Sequence, residues 1–291
     1  MPLPSPPLAA GSGEPVGNSP CLRWSEEGGW SAAPESLAVE APLAIEISYE
    51  RAGQPVIRLL AVTMRTPGSD EELAIGFLLA EGLIEGRADV GGGGALEVNS
   101  RDERIPTWRV SLTRAPREDW QRVSRGLITS SACGLCGRTS LEGLPVSRVP
   151  EPGSGLFSEG LVASLPERLR MRQTAFAKTG GSHGAALCDA EGRVHLVRED
   201  VGRHNAVDKV MGAALLEGID HAGKILVLSG RASFELLQKA ASAGIGVVVA
   251  VGAPSSLAVD LAHAAGITLI GFTRGTRFNV YTHAGRLRTS R

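Results

Sequence analysis

Lys224-Ile-Leu-Val-Leu228, Gly246-Val-Val-Val-Ala-Val251 and Thr268-Leu-Ile-Gly-Phe272 are three short apolar runs rich in β-branched residues, and the segments between them, Ser233 to Ser242 and Ser255 to Ala265, read as helices. The series is βαβαβ. Strands joined by helical crossovers run parallel, and a sheet covered by helices on both faces has strands that are apolar throughout rather than alternating. The C-terminal part of the chain is therefore an α/β unit. Ligands of such sheets bind beyond the carboxyl ends of the strands. Those ends are Ser229-Gly-Arg231, Gly252-Ala-Pro-Ser-Ser256 and Thr273-Arg-Gly-Thr-Arg277, and two of them lead into helices. Free N–H groups at helix N-termini, together with Arg231, Arg274 and Arg277, suit a phosphate. The same composition also suits ordinary βα turns, and spacing alone does not separate the two readings.

Upstream the rhythm differs. Leu43 to Met64 reads as strands, with alternation in Ala44-Ile-Glu-Ile-Ser-Tyr49. Ser69 and Glu72 have capping-box spacing before the apolar stripe of Leu73, Phe77, Leu78 and Leu79, which predicts a helix ending near Gly82. Asp70, Glu71 and Glu72 in its first turn complement the helix dipole rather than forming an acid catalyst. Gly91 to Gly94 reads as a mobile connection, since no strand-to-helix context makes it a phosphate cradle. Residues 1–36, rich in Pro, Gly and Ser, read as a disordered tail. This divides the chain into that tail, an α+β lobe over 37–125, a mobile loop over 126–160 and an α/β lobe over 161–291.

Composition narrows the classes. The 291 residues carry a formal net charge of −1 and only 4% aromatic residues, which argues against a basic nucleic-acid scaffold or a single-strand-binding surface built on stacking. No apolar run approaches the roughly 20 residues that span a bilayer. The start, Met1-Pro-Leu-Pro-Ser-Pro-Pro7, lacks the basic and apolar regions of an export signal, and with four cysteines in total the expected setting is a reducing cytoplasm.

Two of those cysteines form the tetrad Cys133-Gly134-Leu135-Cys136, flanked by small residues that let a partner approach either sulfur. C-x-x-C spacing is compatible with half a zinc site, a redox disulfide or a transferable sulfur. Cys21 and Cys188 are isolated in sequence, so no second pair completes a zinc ribbon, and a thioredoxin-like reading needs the pair at the start of a helix rather than in a glycine-rich connection. A second polar concentration comprises Thr179-Gly-Gly-Ser-His183 and Arg198-Glu-Asp-Val-Gly-Arg-His-Asn-Ala-Val-Asp-Lys209. Either His183 or His204 alone suits a structural role. If residues 200–210 are helical, Asp200, His204 and Asp208 share one face, with Lys209 beside it.

These motifs, in this order, resemble the FdhD-type formate dehydrogenase accessory sulfurtransferases. The resemblance runs from about residue 40 to 285 and is carried by Met64-Arg-Thr-Pro67, Ser131-Ala-Cys-Gly-Leu-Cys-Gly137, Thr179-Gly-Gly181, Glu199-Asp-Val-Gly-Arg-His204, Asp208-Lys209, Ser229-Gly-Arg-Ala-Ser233 and Gly271-Phe272 among others. It implies a cytidine-deaminase-like α/β/α C-terminal lobe with a smaller α+β N-terminal lobe, and a homodimer. It implies that Cys133 bears a persulfide received from a cysteine desulfurase, with Cys136 assisting. The recipient it implies is the molybdenum bis(molybdopterin guanine dinucleotide) cofactor destined for the formate dehydrogenase apoenzyme. Phe272, Thr273, Arg274, Gly275, Thr276 and Arg277 match the segment that binds it. A non-catalytic chaperone of the guanine dinucleotide cofactor is the alternative. Deaminase chemistry is discounted, because no H-x-E follows from His183-Gly184-Ala185 or His204-Asn205-Ala206, and Ala132 precedes Cys133.

Overall fold

The computed structural model describes residues 13–96, 105–116 and 157–288. Its central element is a six-stranded sheet in the order β13-β12-β11-β10-β8-β9. Strands β10 (Ile225–Leu228), β11 (Val247–Ala250) and β12 (Thr268–Arg274) are parallel, joined by α5 (Phe234–Ser242) and α6 (Ser256–Ala265). The parallel trio is extended on both sides by antiparallel strands, β8 (His183–Cys188) and β9 (Val194–Asp200) at one edge and β13 (Arg277–Val280) at the other. Side chains alternate between the faces. Leu187, Leu226, Leu228, Val248 and Leu269 join α4 (Arg203–Glu217), α5 and α6 in one core, whereas Ala186, Ile225, Val227, Val249 and Ile270 join α2 (Glu159–Arg170), which follows the two-residue strand β7 (Phe157–Ser158), in the other. This accounts for the unbroken apolar runs, because both faces are dry.

The N-terminal lobe is a four-stranded sheet, β4-β3-β6-β5, formed by β3 (Ala41–Arg51), β4 (Gln54–Arg65), β5 (Val90–Leu96) and β6 (Thr107–Leu112). Helix α1 (Asp70–Ala80) connects it to the larger lobe, and its buried Leu73, Ile75, Leu78 and Leu79 belong to the same core as Leu43, Ile47, Val207 and Met211. Two glycines set how closely α1 and α4 cross. A Cβ on Gly76 would lie 1.8 Å from the Asp208 carbonyl oxygen, and one on Gly212 would lie 1.8 Å from that of Glu72. Each helix therefore rests on the other's backbone where any side chain would hold them apart.

Several sequence expectations are corrected. Residues 16–36, placed in a disordered tail, form together with 37–38 a hairpin of β1 (Val16–Ser25) and β2 (Gly29–Ala38), with Trp24 opposite Trp30, Arg23 paired with Glu35 and the ribbon packed on α3 (Thr174–Thr179). Pro20 faces Pro34 across it. A two-stranded ribbon has outward-facing positions where a missing N–H breaks no ladder bond, so composition misled here. Gly91–Gly94 lies within β5 rather than a loose connection, and a Cβ on Gly93 would stand 3.1 Å from the Arg109 carbonyl oxygen and 3.2 Å from the Trp108 indole nitrogen. Ser69 adopts a left-handed backbone (φ 56°) and makes no side-chain cap, so the capping box does not form. Asp70 and Glu72 do more than oppose a dipole: Asp70 takes two bonds from the Arg65 guanidinium and Glu72 two from that of Arg198. No helix among the described residues is long and apolar enough to cross a membrane.

The glycine crossing is directly testable. Gly212→Ala is expected to destabilise the protein by about 3 kcal/mol or more in urea unfolding, as overpacking at a backbone contact forces the helices apart. Gly160→Ala, also helical but with nothing within 4 Å of the added methyl, is expected to leave stability unchanged or raise it by about 0.5–1 kcal/mol.

Candidate functional site

The main cleft, about 950 Å³, opens where the carboxyl ends of β10, β11 and β12 meet the segment running from α2 through α3 to β8. One wall carries Arg170, Gln173, Phe176, Gly180, Gly181, Ser182 and His183, and the opposite wall Thr273, Arg274, Gly275, Thr276 and Phe278, with Ser229 and Val251 between them. A volume of this size suits a nucleotide-sized ligand. On the other side of the β12–β13 turn a second cavity of about 470 Å³ is lined by Phe272, Arg274, Arg277 and Phe278, among others. Arg274 and Phe278 thus border both.

Local structure explains how this turn presents its groups. Strand β12 bulges between Gly271 and Arg274, and Gly275-Thr276 reverses the chain, with Gly275 at φ 58° and Arg274 opposite Arg277. Phe272 also holds a left-handed backbone (φ 52°) and is 53% exposed, an unusual state for a large aromatic residue and one that costs conformational energy. Two polar side chains lining the cleft are fully enclosed yet lack a hydrogen-bond partner among the described residues: the Gln173 amide nitrogen and the Thr273 hydroxyl. Leaving buried polar groups unpaired is costly, and a cavity border is where a ligand or solvent relieves that cost.

The wall opposite the turn is organised by Glu199. Its carboxylate accepts the Ala175 and Phe176 amides at the start of α3, each at 2.8 Å, and the Ser182 hydroxyl at 2.8 Å. Gly184 makes room for Gln173, since a Cβ there would come within 2.6 Å of its amide nitrogen. The Gly184 amide in turn donates to Ser229 Oγ at 2.8 Å.

Behind the cleft lies the ionisable cluster, arranged differently from the sequence expectation. Asp200 ends β9, and the helix begins only at Arg203, so Asp200 does not share a helical face with His204 and Asp208. The Val201-Gly202 turn intervenes. Instead Asp200, fully buried, meets Lys209 at 2.8 Å and accepts the Thr66, Gly202 and Asn205 donors, while Lys209 also donates to the Thr66 carbonyl at 2.8 Å. Asp208 turns the other way, receiving both of its bonds from Lys239 of α5 at 2.9 Å. Burial works against the Lys239 charge, but the carboxylates of Asp208, Glu235 and Glu81 outweigh it and hold the ammonium above the usual lysine range.

His204 sits 3.3 Å from Ser233 Oγ and 3.5 Å from Glu235 Oε2. Burial, reinforced by Lys239, Arg203 and His183, pushes its pKa down to about 3. Burial followed by Arg203 also lowers His183, and Asp200 opposes that shift only in part. Both imidazoles are neutral at physiological pH.

The other sequence-derived residues divide clearly. Thr273, Arg274, Gly275 and Thr276 lie on the main cleft, Phe272 and Arg277 on the second cavity, and Ser229 on the main cleft, whereas Arg231, Ser255 and Ser256 line neither. Cys133 and Cys136 lie outside the described residues. Cys188 is sealed in the core beneath α2, where burial pushes its thiol up to about 12. Sequence reasoning missed Gln173 and the role of Glu199. A polar residue just before a short helix, and a carboxylate within a dense motif, were the available signals.

Similarity to known proteins follows the same outline. The model of the FdhD/NarQ family matches residues 38–288. The chain is 46% identical over 267 residues to a protein named sulfur carrier protein FdhD from Mycobacterium tuberculosis H37Rv, covering 87% of this chain and 92% of that one. It is 41% identical over 264 residues to the protein of the same name from Thermoplasma volcanium, covering 89% and 91%. In fold it is similar to the crystal structure of a protein described as a formate dehydrogenase accessory protein from Desulfotalea psychrophila, with a TM-score of 0.69, 24% identity, and coverage of 94% and 99%.

The histidine cluster predicts the pH dependence of stability. A neutral imidazole whose folded pKa lies below its unfolded value leaves the unfolded chain with more bound protons as pH falls, so its own contribution lowers stability from about pH 6.5 downward. Burial raises the Asp208 and Glu235 carboxyls, and their protonation acts in the opposite direction, so the His204 contribution is read as a difference between wild type and variant. Between pH 7.5 and 4.5 the stability of His204→Gln relative to the wild type, measured as urea midpoints, should rise as the pH falls, while His183 and His221, both lowered chiefly by burial, keep their share of the slope in both proteins.

Proposed function

The chain belongs to the FdhD/NarQ family, and from that premise we propose that it is a sulfur carrier for formate dehydrogenase that brings persulfide sulfur to a guanine dinucleotide cofactor held at the β12–β13 turn. The observation that carries the cofactor half of this reading is the cleft of about 950 Å³, bordered by Arg274, Phe176 and Phe278 and by the unpartnered Gln173 and Thr273. Guanidinium groups suit phosphate or an anionic pterin, aromatic faces suit a planar base, and enclosed polar atoms reward a ligand that pairs with them. The molybdenum bis(molybdopterin guanine dinucleotide) cofactor is the cargo rather than a resident group.

The sulfur half rests on Cys133 and Cys136. A Cys133 thiolate attacks the terminal sulfur of the persulfide on a cysteine desulfurase, a new S–S bond forms on Cys133, and the desulfurase cysteine leaves as its thiolate. The Cys136 thiolate then attacks Cys133 Sγ, the persulfide S–S bond breaks and its outer sulfur passes to the cofactor at the sulfide level, leaving a Cys133–Cys136 disulfide that a thiol reductant returns to the dithiol; the formate dehydrogenase apoenzyme receives the sulfurated cofactor. Cys188 is unsuited to such a role, because its buried thiol resists ionisation and thiolate is the reacting form. The succession of β8, β9, α4, β10, α5, β11, α6 and β12, with α2 on the opposite face, supports a cytidine-deaminase-like arrangement of the C-terminal lobe. The sequence His204-Asn205-Ala206 in the first turn of α4 has alanine where the H-x-E acid of deamination would stand.

Mass spectrometry after incubation with a desulfurase and cysteine should find one added sulfur on the peptide containing Cys133. Cys133→Ala should lose both this label and activation of formate dehydrogenase; activation that survives the substitution would sink the carrier mechanism in favour of a simple cofactor chaperone. The double variant Arg274→Glu/Arg277→Glu should bind the guanine dinucleotide cofactor roughly tenfold or more weakly, as expected for losing charge-assisted bonds.

A further inference from the structure

We infer that Glu199 is the positioning residue of the cleft: its carboxylate clamps the Gln173–Ser182 wall into the shape that receives the ligand, without touching the ligand itself. The inference rests on the cleft being the cofactor site. Glu199 does not line the cleft, yet its three hydrogen bonds, to the Ala175 amide, the Phe176 amide and the Ser182 hydroxyl, grip the beginning and the end of that wall. The segment between them holds a helix of only six residues, too short to persist by its own hydrogen bonding. Its Gln173 N-cap position contributes no side-chain cap bond, so the first-turn amides depend on the carboxylate. An ionised carboxylate accepts three such bonds and also suits the positive end of the helix.

The chemistry requires a carboxylate rather than any polar group. One Glu199 oxygen receives Ala175, while the other receives both Phe176 and Ser182. A glutamine would set an NH₂ against at least one N–H donor, so the nearly isosteric Glu199→Gln breaks the clamp without opening a cavity. The consequence reaches Gln173, whose amide is wedged against Gly184, and Phe176, which lies under the Arg170 guanidinium at 4.4 Å. Freed from Glu199, the wall loses the fixed placement of both side chains.

Hydrogen exchange and guanosine diphosphate binding together test this. In Glu199→Gln, amides of residues 174–182 should exchange at least tenfold faster while those of β10, β11 and β12 keep wild-type rates, and affinity for guanosine diphosphate should fall roughly tenfold, as loss of bonds to a charged group implies. Ser182→Ala, which removes one bond of the three, should give a smaller change in both. A general loss of fold would instead accelerate exchange throughout the sheet, and that outcome overturns the positioning role. Unchanged exchange at 174–182 overturns the clamp, and faster exchange with unaltered affinity shows that the wall does not position the ligand. Wild-type protein that fails to bind guanosine diphosphate overturns the cofactor reading and the ligand half of this inference, a result the exchange data do not depend on.

Discussion

The end of strand β9, Arg198-Glu199-Asp200, is the point on which the architecture depends, because three consecutive side chains there fasten three different parts of the molecule. A strand sends alternate residues to opposite faces. Arg198 and Asp200 therefore point towards the helices and the N-terminal lobe, where Arg198 holds Glu72 of α1 and Asp200 holds Thr66 and Lys209. Glu199 points the other way and holds α3. Removing Asp200 would leave the Lys209 ammonium, 2% exposed, without its countercharge, and breaking a buried pair in that manner costs about 3–5 kcal/mol.

The same economy appears where α1 crosses α4. At Asp208-Lys209 the backbone carries Gly76, the Asp208 side chain reaches Lys239 on α5, and the Lys209 side chain reaches back to the joint between the lobes. Neighbouring residues on a helix project about 100° apart, so an Asp-Lys dipeptide can serve two separate ion pairs instead of pairing with itself. Fixed partners also explain why these charges tolerate burial. At 2.8–2.9 Å each counter-charge takes the place of water.

Legibility in the sequence followed the physics of each element. The parallel strands were readable because burial on both faces demands continuous Val, Ile and Leu, and the β12–β13 turn was readable because the ends of such strands are where ligands gather. The β1–β2 hairpin was not, since its stability comes from cross-strand pairs such as Trp24 with Trp30 and from packing on α3, neither of which composition records. The i, i+4, i+8 spacing of Asp200, His204 and Asp208 suggested one helical face, but the turn at Val201-Gly202 put Asp200 on a strand and gave it different partners. Glu199 was hidden for a related reason: its contacts lie 17 to 24 residues upstream, and only the fold brings them together.

The main cleft combines cations, aromatic faces and enclosed polar atoms, yet its described lining contains no cysteine. That composition suits a cofactor better than it suits sulfur chemistry. None of the described lining residues carries a thiol that could pass sulfur to a ligand bound there. Cys188 cannot be that thiol, as it is fully buried in the core beneath α2 and its ionisation is suppressed. In the proposed mechanism Cys133 and Cys136, which lie outside the described residues, take that part. A persulfide carrier of this kind works in two encounters: a protein donor loads the thiol in one, and the thiol delivers its sulfur to the bound cofactor in the other.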